Sequence, residues 1–156
     1  MDKYIGVKIV NAEPAYRTTL LEGGESKIIV SAELPTSNGG AETQLGYKVV
    51  YEDGYVSWCP KDTFEKANRK TDGLTFGLAV EALKKGFKVC RKGWNGKGMW
   101  LTLVPVGSYF MTESWAMAIQ GINRLPWIGM KTADNSFVPW LASQTDVLAE
   151  DWMIVD

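Results

Sequence analysis

The chain has 156 residues, of which 46% are hydrophobic and 22% charged, with a formal net charge of −1 and a sequence pI of about 5.6. That composition belongs to a globular chain long enough for one ordinary domain or two small ones, and its charge balance argues against a duplex-DNA binder, which carries a strongly basic face. Histidine is absent, which removes Ser-His-Asp and Cys-His catalysis, imidazole acid–base chemistry and His-ligated metals.

Cys59 and Cys90 show neither a pairing pattern nor metal spacing and lie beside or inside apolar runs, so they read as buried free thiols in a reducing cytoplasm. No apolar run follows Met1-Asp2-Lys3, and no stretch approaches the roughly 18–20 apolar residues of a membrane span. The expectation is a soluble, unexported protein. Seven tryptophans are many for this length, and such planes serve both cores and base-stacking sites.

Residues 4–10 alternate well enough for a strand, and residues 27–34 give another, with Glu22-Gly23-Gly24-Glu25 as the loop between them. Residues 35–43 are the most polar, glycine-rich stretch and read as a mobile loop. Residues 46–51 and 55–58 flank Glu52-Asp53-Gly54, the sequence of a hairpin closed by a type I′ turn. A short helix opens at residues 60–65, with Asp62 as N-cap and Glu65 completing a capping box. Lys70-Thr71-Asp72-Gly73 ends it and divides the chain into lobes of residues 1–73 and 74–156.

In the second lobe Phe76, Ala79, Val80 and Leu83 form the stripe of an amphipathic helix, with Gly86 placed as its C-terminal cap. Strands follow at 87–92 and 98–104. Within 107–124, Ser114-Trp115-Ala116-Met117-Ala118-Ile119 suits a short helix. Residues 125–131 and 136–140 flank Thr132-Ala133-Asp134-Asn135, a turn, and make a second hairpin. Ser143 or Thr145 can cap one helical turn, and residues 151–155 close the sheet. The fold class is α+β: antiparallel sheets with few short helices, in two small lobes packed together.

Two stretches carry chemistry. In Gly93-Trp94-Asn95-Gly96-Lys97-Gly98 the glycines allow sharp bending and close approach to a ligand, and Arg91, Lys92 and Lys97 add charge suited to phosphate. The spacing is not that of a P-loop. A glycine turn with Trp94 folded onto the core is the plainer reading. In the second stretch, Trp140 precedes Ser143-Gln144-Thr145-Asp146, side chains able to read a ribose or base edge beneath a stacking indole; equally, Ser143 and Asp146 can simply cap a helix. Asp146, Glu150 and Asp151 form an acidic group whose ordinary reading is a solvated helix end rather than a metal site or an acid–base pair.

Leu74-Thr75-Phe76-Gly77-Leu78-Ala79-Val80-Glu81-Ala82-Leu83-Lys84-Lys85-Gly86, Arg91-Lys92-Gly93-Trp94-Asn95-Gly96-Lys97-Gly98-Met99, Met130-Lys131-Thr132-Ala133-Asp134 and Val138-Pro139-Trp140-Leu141-Ala142-Ser143-Gln144-Thr145-Asp146-Val147-Leu148-Ala149-Glu150-Asp151-Trp152 resemble, in order and spacing, the Thoeris anti-defence 2 family of phage proteins. The resemblance spans about residues 74–156. It implies a sponge and not an enzyme: a homotetramer that sequesters, at pockets between subunits, the cyclic ADP-ribose isomers made by bacterial TIR proteins, and in some members the cyclic dinucleotides of CBASS defence. It implies no cofactor, no metal, no DNA or RNA partner, no membrane, and a place of action in the cytoplasm of the infected host. By position in the motifs, Trp94 and Trp140 are the stacking residues, and Arg91, Asn95, Lys97, Ser143, Gln144 and Thr145 the polar contacts. Residues 1–73 lie outside the family core, and the part from Tyr4 to Arg69 resembles an N-terminal lobe found on various phage proteins. The competing readings are an enzyme that degrades a nucleotide signal through Asp146 or Glu150 with an added metal, a single-strand nucleic-acid binder, and a structural phage module.

Overall fold

A computed structural model describes residues 7–22, 25–34, 42–94, 98–107, 121 and 123–155. The chain separates into two compact units, Met1–Arg69 and Lys70–Asp156. The fold is α+β: among the described residues, one antiparallel sheet in each unit and three short helices.

The first unit holds β1 (Asn11–Glu22), β2 (Glu25–Ser31), β3 (Glu42–Val50), β4 (Val56–Pro60) and α1 (Lys61–Ala67), with sheet order β2-β1-β3-β4. The long inner strand β1 replaces the strand expected at 4–10: residues 7–10 have no regular structure and 4–6 lie outside the described residues. Its sequence, NAEPAYRTTLLE, lacks the alternation that marks a strand and contains Pro14. The ladder explains the tolerance. Pairing with β3 starts at Asn11↔Val50, but pairing with β2 starts only at Tyr16↔Ser31. Pro14 therefore sits where β1 has one neighbour, the edge-like setting in which proline is accepted. The polar loop expected at 35–43 lies outside the described residues as far as residue 41, and Glu42 already begins β3.

The β3–β4 hairpin forms where Asp53-Gly54 places it, but not with a type I′ turn. Gly54 N–H donates to Tyr51 O and Tyr51 N–H to Tyr55 O, both at 2.9 Å. Gly54 alone takes positive φ, at 83°, which makes a three-residue connection with a bulge. The expected Asp62 cap is also replaced. Pro60, the last residue of β4, is the N-cap of α1, with no side-chain cap bond, and Asp62 sits in the first turn. Strand runs straight into helix, and Glu65 is used elsewhere: its Oε1 accepts from the Tyr47 hydroxyl at 2.9 Å while the Tyr47 and Phe64 rings stack at 4.3 Å.

The second unit holds α2 (Phe76–Lys84), β5 (Lys88–Arg91), β6 (Trp100–Val104), β7 (Trp127–Lys131), β8 (Phe137–Pro139), α3 (Gln144–Val147) and β9 (Trp152–Val155), with sheet order β8-β7-β6-β5-β9. Thr75 Oγ1 accepts from Leu78 N–H to start α2. Gly86, at φ 90°, ends it: Gly86 N–H donates to Leu83 O and Phe87 N–H to Ala82 O, the paired bonds of a Schellman motif. Ala79, Ala82 and Leu83 then bury against Val89, Leu101 and Trp152, with Leu74 completing the core. The β7–β8 connection repeats the design of the first hairpin, with Asn135 at φ 68° in place of glycine. Residues 70–73 join this unit through Ile154 N–H, which donates to Thr71 O. The short helix expected at 114–119 lies outside the described residues. Both cysteines are free but only partly buried, less enclosed than expected.

A side chain at Gly46 would put its Cβ 2.2 Å from the Cys59 carbonyl oxygen and 2.5 Å from the Trp58 ring. Backbone cannot yield as a side chain tip can, so Gly46→Ala should destabilise the first unit by about 1–3 kcal/mol. Urea unfolding followed by circular dichroism checks this; an unchanged midpoint would show that β3 and β4 separate freely.

Candidate functional site

Trp152 is wholly buried, and three aromatic rings meet it. Phe76, the first residue of α2, lies 5.5 Å from it between centroids; Trp94, in the turn after β5, lies at 5.4 Å and 74°; Trp140, just after β8, lies at 6.0 Å and 83°. Trp94 and Trp140 also meet each other, at 6.4 Å and 62°. The three contacts among the indoles are edge-to-face, the arrangement aromatic quadrupoles favour, while the Phe76 ring is tilted at 45° to Trp152. Trp94 and Trp140 are half-buried: inner edges pack on the core, and the remainder faces outward. Trp152 Nε1–H is satisfied by the Asp146 carbonyl at 2.9 Å.

A charged network lies beside the rings. Arg91 Nε donates to Asp151 Oδ1 at 2.8 Å and Arg91 Nη1 to Asp146 Oδ1 at 2.9 Å, with a further bond from Nη1 to Thr145 O at 3.3 Å. The other Asp151 oxygen accepts Gly93 N–H at 3.1 Å. The other Asp146 oxygen accepts Ser143 Oγ at 2.6 Å and Ser143 N–H at 3.3 Å, while Ser143 Oγ accepts Asp146 N–H, a full capping box. The Arg91 bond holds the Asp151 carboxyl below its ordinary range. For Asp146 burial is the largest single influence and pushes upward, but the Ser143 and Arg91 bonds together outweigh it and hold the group low. The two carboxylates in turn raise the Arg91 pKa. At the far end of the glycine turn, Lys131 Nζ donates to Gly98 O at 3.1 Å.

The structure thus brings Arg91, Trp94, Trp140, Ser143 and Thr145 together. Gln144 is exposed at the start of α3, and Asn95 and Lys97 lie outside the described residues. Of the acidic group, Asp146 and Asp151 are not simply solvated but share one guanidinium, while Glu150 is exposed; among the described residues no group of three His, Cys, Asp or Glu is arranged to hold a metal ion. Sequence reasoning missed Phe76 and Trp152 as the supports of the two candidate indoles, and Lys131 as the tie on Gly98. Phe76 carried the signal of its helix stripe, and Trp152 and Lys131 only that of membership in the same motif stretches.

These are the segments by which the chain can be placed among known proteins, and the model of the Thoeris anti-defense 2-like domain matches residues 74–155. The chain belongs to this family. The Thoeris anti-defense 2 protein of Bacillus phage SP01 is 44% identical to it over 86 residues, covering 53% of this chain and 94% of the phage protein. The match begins at the Leu74–Trp152 bridge and takes in every residue of the aromatic cluster and the Arg91 network, while β1 to β4 lie outside it.

Because the folded pKa values of Asp146 and Asp151 are lowered, their stabilisation is complete above the ordinary carboxylate pKa of about 4 and is lost as pH falls through the lowered values. Arg91→Gln should cost about 2 kcal/mol at pH 7, the lower part of the range for charged hydrogen bonds because Asp151 is partly exposed. Thermal melts of both proteins down the acid range should converge; a constant gap would mean that Arg91 does not act through the carboxylates.

Proposed function

We propose that the chain captures cyclic nucleotide immune signals in the infected bacterial cell and holds them without cleavage. Membership of the Thoeris anti-defense 2 family supports a phage anti-defence role. The finer reading takes as ligands the cyclic ADP-ribose isomers made by TIR proteins, and cyclic dinucleotides as further ligands. The observation that carries it is the pair Trp94 and Trp140: two part-exposed indoles held edge-on by a buried third, beside the exposed side chains of Ser143, Gln144 and Thr145. A rigid indole loses little freedom on stacking, and each stacked base contributes about 1–3 kcal/mol. Asn95 and Lys97 in the glycine turn complete the proposed contacts, and Arg91 belongs to the same site.

Nanomolar capture needs about −12 kcal/mol, more than one open face supplies. We place the ligand between subunits of a homo-oligomer, a tetramer by the family reading, with residues 74–156 forming the sponge and residues 1–73 a separate lobe. Leu141 and Leu148, 91% and 78% exposed on either side of Ser143–Thr145, suit burial in such an interface. Cleavage is disfavoured by the use already made of the carboxylates: Asp146 is held ionised by Ser143 and Arg91, which makes it a weak base. No described helix is long and apolar enough to cross a membrane.

Capture and release tests the reading. The protein is incubated with a TIR-made cyclic ADP-ribose isomer, and in parallel with cyclic dinucleotides; the filtrate is assayed, then the protein fraction is heated and its released contents weighed by mass spectrometry. Ligand absent from the filtrate and recovered intact after heating is the expected result. Degraded ligand would mean an enzyme, and free ligand in every filtrate would end the proposal. Trp94→Ala and Trp140→Ala should each weaken binding by roughly 5- to 150-fold, the equivalent of one lost stacking contact, with the oligomer intact by light scattering.

A further inference from the structure

Arg91 stands beside the proposed ligand site but its fork is already occupied. Nε and Nη1 each donate to a carboxylate, Nη1 also reaches Thr145 O, and Nη2 lies 3.5 Å from Asp151 Oδ2. Its side chain is 20% exposed, against 15% for Asp146 and 33% for Asp151. Each carboxylate spends its second oxygen on a different piece of the site. Asp151 takes Gly93 N–H, at the entrance of the glycine turn, and Asp146 takes Ser143, at the start of α3. The backbone adds a parallel tie, Lys92 N–H to Asp151 O, and Trp94 N–H donates to Arg91 O within the turn itself.

We infer that Arg91 is a positioning residue: with Asp146 and Asp151 it forms a bridge that fixes the glycine turn carrying Trp94 relative to the Ser143–Thr145 segment after Trp140, and it does not contact the ligand's phosphates. This rests on the proposed ligand site. The residues that Arg91 binds lie 54 to 60 positions further along the sequence, so the register of the two stretches depends on long-range contacts: these side-chain bonds, the sheet and the rings packed on Trp152. A guanidinium suits the task, since its planar fork meets two carboxylates at fixed angles, which an ammonium cannot do.

The two roles for Arg91 predict opposite signs for Asp151→Asn. A phosphate-binding arginine would be released by loss of its carboxylate and would hold an anion more tightly; a positioning arginine would lose its purchase on the turn. Affinity for a TIR-made cyclic ADP-ribose isomer is measured by calorimetry, at a temperature where every variant is fully folded. We expect Asp151→Asn and Arg91→Gln each to weaken binding by about tenfold or more, the double variant to be no weaker than the worse single one, and Arg91→Lys to fail to rescue. Tighter binding by Asp151→Asn, additive losses, or full rescue by Arg91→Lys would overturn the inference. Hydrogen exchange without ligand separates this outcome from failure of the proposed function. If the wild type binds none of the probe, Arg91→Gln must still speed exchange at both residues 92–94 and 144–148; acceleration in only one segment, or neither, overturns the bridge.

Discussion

Burial of one indole organises the second unit. Trp152 opens the last strand, pairs with Arg91 across the ladder and with Leu74 through an isolated bridge, and touches Phe76, Trp94 and Trp140 with its ring. An indole so enclosed needs a partner for its single N–H, and the Asp146 carbonyl supplies one. That bond, in turn, requires α3 to sit above the ring, which brings Asp146 to Arg91. Core packing and site geometry are therefore the same set of contacts, and few substitutions near Trp152 can disturb one and spare the other.

The polar half of the site follows from competition for a few charged atoms. Two carboxylates and one guanidinium saturate one another and two backbone amides, so each element they touch is fixed at a definite distance. Both carboxyl groups are held low and engaged with Arg91, and without histidine no side chain has an ordinary pKa in the middle of the physiological range. Asp146 and Asp151 therefore give up their charge only in acid.

Elements specified by neighbouring residues were legible in the sequence. The Phe76–Leu83 stripe and Gly86 mark α2, Asp53-Gly54 and Asp134-Asn135 mark the two hairpins, and Ser143 with Asp146 marks α3. Those specified by distant partners were not. Strand β1 is read only from its ladder with β3, which accommodates Pro14 and a run of polar residues. The turn of the first hairpin was misassigned because Asp-Gly suits both a two-residue and a three-residue connection, and local sequence does not fix which carbonyl the glycine amide meets. For the site, motif positions singled out Trp94 and Trp140, but nothing local in the sequence pairs Arg91 with Asp151, 60 residues further on.

The bridge between Leu74 and Trp152, with N–H to carbonyl bonds of 2.7 and 3.1 Å in the two directions, has a consequence beyond packing. The point where the chain enters the family domain and the strand by which it leaves are stitched side by side. A domain sealed at its own doorway can carry additional sequence ahead of it without reopening its interior. A sealed entrance makes this unit easy to transplant: it can be fused behind other sequence as a whole while the aromatic cluster and the Arg91 network stay intact.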